Sequence, residues 1–205
     1  MNIKFLISSN LEYLNITTPK LIKSLNLAGV TDDKIAICIN STDKEESLQK
    51  STGLTTHYFK TSMYEYVNFL GALLYDNDIF FLHDTCEVQP NFLNLLSHHI
   101  RDKNFDCVRL KQGYSNNIGL YKNHYIKKIK DRIEQINKDM SKQQAIRLED
   151  SFFGGQVLYL QGDPIVFPPR DVYNQGQMRR VEVYESIGLI KYKSHWGQGI
   201  VGNQA

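Results

Sequence analysis

The chain has 205 residues, 41% of them hydrophobic and 22% charged, the composition of a soluble globular protein long enough to bury one substantial core. Its 24 Lys and Arg against 22 Asp and Glu leave a net charge of +2, which gives no general argument for a nucleic-acid partner. No stretch approaches a membrane span or a signal peptide, and Cys38, Cys86 and Cys107 form no close pair, so a reducing, cytoplasmic setting is expected.

In chain order, "IKFLISS" (3–9) is expected to be a buried first strand and "PKLIKSLNLAG" (19–29) the helix after it. Thr17 or Thr18 would cap that helix, Pro19 suits its first turn and Gly29 its end. "KIAICIN" (34–40) is a second strand with a polar exit, and "HYF" (57–59) a short third. "MYEYVNFLGALLY" (63–75) carries apolar residues at helical spacing behind Thr61 or Ser62. "FFLHDTCEV" (80–88) is a fourth strand, driven by apolar residues to a polar tip, and "QPNFLNLLSHHI" (89–100) is a helix with Pro90 near its start. This alternation is the order of an α/β fold with a largely parallel sheet.

Beyond residue 104 the elements shorten. "FDCVRL" (105–110) and "NIGLYK" (117–122) read as strands about a turn. "HYIKKIKDRIEQINKD" (124–139) reads as an amphipathic helix, with Ile126, Ile129, Ile133 and Ile136 on one stripe and its basic residues on a solvated face. The strand-like "IGLIKY" (187–192) precedes a Gly-rich close. No repeat or linker divides the chain, and a single domain is expected.

Three clusters carry chemistry. At the tip of the fourth strand, His83, Asp84, Thr85, Cys86 and Glu87 would stand where α/β sheets place their sites. Asp84, the first carboxylate after the apolar run, is the natural oxygen ligand for a divalent cation gripping a diphosphate. Cys86 and His83 are softer donors without the CxxC or HxxxH company of a zinc site, and a half-buried thiol explains Cys86 equally well. "RLEDSFFGG" (147–155) sets Glu149 and Asp150 before an aromatic pair; they are a helix cap and first-turn acid, or a base for an acceptor hydroxyl. "YKSHWGQG" (192–199) puts His195 beside the sole tryptophan, Trp196, in a tail able to fold back over a site. Lys191 and Lys193 are available there to balance phosphate. Asn116, Asn117 and Gly119 stand beside strand ends, where amides bind hydroxyls or form a turn. GxGxxG after the first strand, GxxxxGKS/T and GxSxG are all absent, which removes the main support for dinucleotide, P-loop and esterase chemistry.

In this order the pieces resemble the small nucleotide-sugar-dependent glycosyltransferases of the GT-A fold, over most of the chain. Those enzymes run an α/β half to an acidic DxD or EDD motif at a strand end, followed by a proline and a Phe-Leu pair. "HDTCEVQPNFL" is similar, with Pro90, Phe92 and Leu93 in register. "NNIGLY" resembles the Asn- and Gly-containing strand of their acceptor half, Glu149 and Asp150 their "ED" pair, and His195 their late, metal-joining histidine. Aligned on Pro90 and Phe92, the acidic triplet falls on His83, Asp84 and Thr85, keeping only the middle carboxylate. Read from Asp84, its third position is Cys86, with Glu87 one place late. The metal-ligand candidates are therefore Asp84, Cys86, Glu87 and His195.

The resemblance implies a single GT-A-like α/β domain with a mostly parallel central sheet flanked by helices. Residues 1–104 would form the nucleotide-sugar half, and 105–205 the acceptor side and closing tail. The implied reaction moves a sugar from a nucleoside-diphosphate sugar, UDP-sugar favoured, to a hydroxyl acceptor, with manganese or magnesium. Inversion is favoured, with Asp150 rather than Glu149 as base, because the family's base usually takes the second place of the pair. Ser8 and Ser9 after the first strand, and Asn40 with Asp43 after the second, match the places of base and ribose. His83, Thr85, Asn117, Gly119, Lys193 and Trp196 complete the donor side. The small size implies a further domain or protein that completes the acceptor cleft. The alternative is a nucleotide- or carbohydrate-binding module without turnover, motivated by the incomplete triplet. A nucleotidyltransferase is disfavoured, since no glycine-rich, lysine-bearing loop follows the first strand.

Overall fold

β1 (Ile3–Ser9) is buried along its whole length, and a strand buried on both faces belongs inside a parallel sheet covered by helices. It lies between β2 (Ile35–Asn40) and β4 (Asp78–His83), parallel to both, and β2 is parallel in turn to β3 (Thr55–Phe59). On the far side of β4, β7 (Gly119–Tyr121) runs antiparallel, followed by β6 (Cys107–Arg109), antiparallel to β7, and β8 (Ile165–Val166), parallel to β6. The seven strands stand in the order β3-β2-β1-β4-β7-β6-β8. Two short antiparallel pairs stand apart: β5 (Cys86–Val88) with β9 (Leu189–Lys191), and β10 (Lys193–Ser194) with β11 (Ile200–Val201). The computed structural model describes residues 2–11, 14–41, 53–59, 67–109, 118–131, 133–134, 165–166, 187–191, 193–194 and 200–201.

Alternation along the strands divides the core into two layers. Ile3, Phe5 and Ile7 with Phe80 and Leu82 pack with α1 (Thr18–Leu27) and α3 (Phe92–Ile100). Leu6, Cys38, Ile79 and Phe81 pack with α2 (Val67–Ala72) and α4 (Asn123–Lys128). α1 ends as its glycine predicts: Gly29 takes φ +88 and the Val30 amide donates to the Leu25 carbonyl at 3.0 Å, a left-handed stop that glycine adopts without steric cost. Under α3, the Phe92 ring meets Phe80 edge-on at 5.3 Å between centroids, a favoured aromatic geometry. Helical backbone resumes beyond α4 at 130–131 and 133–134; Ile126, Ile129 and Ile133 of the expected stripe are buried, and Ile136 lies outside the described residues.

Two elements differ from the sequence expectation. "FFLHDTCEV" is not one strand: β4 ends at His83, the chain turns through Asp84 and Thr85, and β5 leaves the main sheet to pair with β9. The Asp84 amide still donates to the Ser8 carbonyl at 3.1 Å, so β1 holds the chain one residue past β4. Cys86 and Val88 then turn into the core beside Phe92. The helix expected over 63–75 is described only as Val67–Ala72. After Ala72 the amides of Leu73, Leu74 and Tyr75 bond back to residues 70, 71 and 72, a tightening to three-residue spacing that closes the helix. Cys38, Cys86 and Cys107 are buried, and none of them forms a disulfide. Among the described residues no helix is long and apolar enough to cross a membrane.

α2 packs on the sheet through Gly71, where a Cβ would collide with the Cys38 sulfur and crowd Leu6 Cδ1. Gly71→Ala is expected to destabilise the fold by about 1–3 kcal/mol, the usual cost of overpacking. In the Gly71→Ala/Cys38→Ala double variant the obstructing sulfur is gone, so its loss should fall well short of the two single losses added together; denaturant unfolding of all three checks this.

Beside that contact, His57 Nε2 lies 2.7 Å from the Tyr75 hydroxyl, and the Lys4 ammonium sits 4.8 Å above the Tyr75 ring. Burial, reinforced by the Lys4 charge, holds the His57 imidazole below its ordinary range, and burial first pushes the Tyr75 phenol up to about 12. An unfolded chain takes a proton on this histidine near pH 6.5, whereas the folded chain resists it. Stability is therefore expected to fall as pH drops from about 6.5 toward the depressed folded value. Unfolding curves across that window should show a shallower fall in His57→Gln than in the parent protein.

Candidate functional site

The chain runs outward from β1 through β2 to β3, then recrosses to place β4 on the other side of β1. β1 and β4 are adjacent and end at the same edge of the sheet, the edge where sheets of this kind place their ligands. Ser8 is paired with His83 there, and Ser9 and Asp84 follow.

On the α1 side, the Ser9 hydroxyl donates to Asp84 Oδ2 at 2.8 Å and lies 3.1 Å from Thr18 Oγ1 at the start of α1. On the α2 side, the Leu82 carbonyl accepts from Ser8 Oγ at 3.3 Å and from Asn68 Nδ2 at 3.2 Å. Ser8, Ser9, Thr18, Asn68, His83, Asp84 and Thr85 are all buried. Buried polar groups are stable only when partnered, and hydroxyls and amides from four segments meet that demand here. Asn68 Oδ1 is an exception, without a hydrogen-bond partner among the described residues.

Not every expected site residue takes part in these contacts. Ser8 and Ser9 lie at this edge of the sheet, but their hydroxyls hold Leu82 and Asp84. Asn40, half-buried, closes β2 at the same edge of the sheet. His83 closes β4, and Asp84 opens the turn that follows it. Cys86 is 1% exposed and sits in the apolar cluster with Val88 and Phe92, which accounts for the thiol by packing. Glu87 is half-buried opposite Ile190. Gly119 belongs to β7, between Phe81 and Arg109, where a Cβ would strike the Val108 carbonyl oxygen. Of Lys193 the backbone is described, as the start of β10. Asp43, Asn116, Asn117, Glu149, Asp150, His195 and Trp196 lie outside the described residues.

Two residues of this constellation are not evident as site residues in the sequence: Thr18, which reads as a helix cap, and Asn68. The signal for Asn68 is present, an amide set within the apolar run "YVNFLGAL" on the face turned to the sheet. The tail's approach is also visible. β9 pairs with β5, with Lys191 opposite Cys86, and the Gln89 amide donates to the Gly188 carbonyl at 2.7 Å. The stretch preceding residues 192–199 is thus fastened two residues from Asp84.

No three His, Cys, Asp or Glu side chains converge as a metal-binding group among the described residues. With Cys86 buried in apolar surroundings, this part of the chain does not by itself complete a metal site among the described residues. A concavity of about 480 Å³ lies instead on the outer side of α1, lined by Leu14, Pro19, Ile22 and Lys23, without the acidic and hydroxyl groups gathered at the carboxyl edge of the sheet.

No protein-family model and no curated protein matches the sequence. The structure is similar to solved structures of S. aureus TarS. With TarS 1-349 the TM-score is 0.56 at 12% identity, over 82% of this chain and 58% of that one. With TarS 1-349 in complex with UDP it is 0.56 at 11% identity, over the same shares, 82% and 58%. With the complex of TarS 1-349 and UDP-GlcNAc it is 0.50 at 10% identity, over 91% and 64%. The likeness is one of fold: a mixed, mostly parallel, GT-A-like sheet flanked by helices. This chain spans just under 60% of the length of the TarS 1-349 chain, at 58%.

Proposed function

We propose that the chain is a nucleotide-sugar-dependent glycosyltransferase, with a UDP-sugar as favoured donor and a hydroxyl as acceptor. The observation that carries this is the polar constellation of Ser8, Ser9, His83, Asp84 and Asn68 at the carboxyl edge of the sheet. It has support from the fold shared with TarS 1-349, which has been solved in complex with UDP and with UDP-GlcNAc. In this reading the diphosphate lies over the Asp84 turn, the ribose and base toward Asn40 and Asp43, and the tail of Lys193, His195 and Trp196 covers the donor. Asn117 and Gly119 complete the donor side, and a further domain or protein completes the acceptor cleft. Asp150, seconded by Glu149, takes the proton of the acceptor hydroxyl. The acceptor oxygen then bonds to the anomeric carbon from the face opposite the departing diphosphate, whose bond to that carbon breaks, and the configuration inverts. Asp84, Glu87 and His195 are the donors that manganese or magnesium would use there, neutralising the leaving diphosphate.

Calorimetry with UDP-sugars and GDP-sugars, with and without manganese, tests the donor class and its metal dependence together. Saturable binding of a UDP-sugar, with slow hydrolysis or transfer, is expected. Binding without any turnover would favour the binding module suggested by the incomplete acidic triplet, and no nucleotide binding at all would overturn both. Asp84→Asn should leave the fold intact and lower turnover by on the order of tenfold to a thousandfold, as loss of charge support in a transition state does.

The base is tested separately. Asp150→Asn is expected to cut transfer roughly 100- to 10,000-fold, the range for a general base, with donor affinity nearly unchanged. Glu149→Gln measured beside it should remain active; a dead Glu149→Gln and an active Asp150→Asn would reverse the two roles.

A further inference from the structure

Asp84 is held twice by adjacent residues of β1. Its amide donates to the Ser8 carbonyl at 3.1 Å, and its Oδ2 accepts from the Ser9 hydroxyl at 2.8 Å. A serine hydroxyl has a single proton to donate. The Asn10 carbonyl also lies within reach of Ser9 Oγ, at 3.2 Å, but the carboxylate is nearer and charged, and charge-assisted bonds are the stronger. With that proton committed to Asp84, the 3.1 Å contact between Ser9 and Thr18 has Thr18 as its donor. The direction of the relay is therefore set: Thr18 to Ser9, Ser9 to Asp84. It joins the first residue of α1, the last residue of β1 and the turn after β4, and all three side chains are buried.

A hydroxyl spent on Asp84 is not one offered to a ribose, so Ser9 acts through the carboxylate. We infer that Ser9 and Thr18 are positioning residues for the diphosphate end of the donor, fixing one oxygen of Asp84 so that the carboxylate meets its ligand in a single orientation. This rests on the proposed donor site. Its physical basis is that a ligating group held in place by buried hydrogen bonds loses no rotational freedom when its ligand arrives.

The test compares UDP with uridine, which lacks the diphosphate, by calorimetry on the full chain. Ser9→Ala and Thr18→Val should weaken UDP binding, Ser9→Ala by about tenfold, the worth of one hydrogen bond to a charged group, while leaving uridine within twofold. Ser9→Thr, which keeps the hydroxyl, should bind UDP like the parent. In an Asp84→Asn background, Ser9→Ala should cost little more. Equal weakening of uridine and UDP in Ser9→Ala, or losses for Ser9→Ala and Asp84→Asn that simply add, would overturn the inference. If the parent protein binds neither compound, it is the proposed function that fails. The relay is then decided by thermal unfolding of Ser9→Ala, Asp84→Ala and the double variant: non-additive losses in Tm support it, and additive losses overturn it.

Discussion

A strand with parallel neighbours on both sides cannot be joined to either by a tight turn. Each connection must travel back along the sheet before the next strand begins. β1 is in that position, buried on both faces between β2 and β4, and the rest of the structure follows from it. All its parallel neighbours release their chains at one edge, and β1 and β4, being adjacent, release theirs side by side. Ser9 and Asp84, 75 residues apart in sequence, become hydrogen-bond partners for this reason. The antiparallel β7 adjoining β4 covers the far side of that strand.

Placing polar residues at the end of such buried strands has an energetic consequence. Carboxylates and hydroxyls removed from water must be partnered within the protein, and the partners come from the neighbouring strand and from the helices that cover the sheet. α1 contributes Thr18 on one face and α2 contributes Asn68 on the other. Each ties a helix to a strand end, so the same contacts that stabilise the helix–sheet layers also set the orientation of groups at that edge. Polar networks of this kind are rigid when satisfied, which holds the ends of β1 and β4 in one arrangement.

The turn at Asp84 and Thr85 belongs to a second structural layer. By leaving the main sheet, β5 gains β9 as a partner and brings the late segment 187–191 beside the end of β4. Gly188 takes φ +70 at that join, close against Asn91 and Phe92, a backbone state that glycine adopts readily. An early turn and the approach to the tail are thereby coupled, by the β5–β9 ladder and by Ile187 and Leu189 packing in the core with Cys86 and Val88.

What the sequence alone determined were the features encoded within short windows. The buried apolar runs of β1, β2 and β4, the helix stop at Gly29 and the isoleucine stripe after residue 124 are local patterns, since period and steric permission act over a few residues. Asp84 could be singled out in the same way, as the first carboxylate after an apolar run. Tertiary structure alone decided whose partners these residues are. Ser8 and Ser9 read as ligand-facing strand ends, yet their hydroxyls turn to Leu82 and Asp84. Cys86 read as a candidate ligand, yet it packs among apolar side chains. Asn68 and Thr18 read as ordinary helix residues, yet they meet the ends of β4 and β1. Strand order, and with it the pairing of residues 75 positions apart, depends on which long-range burial satisfies both faces of the sheet together, and no local window contains that information.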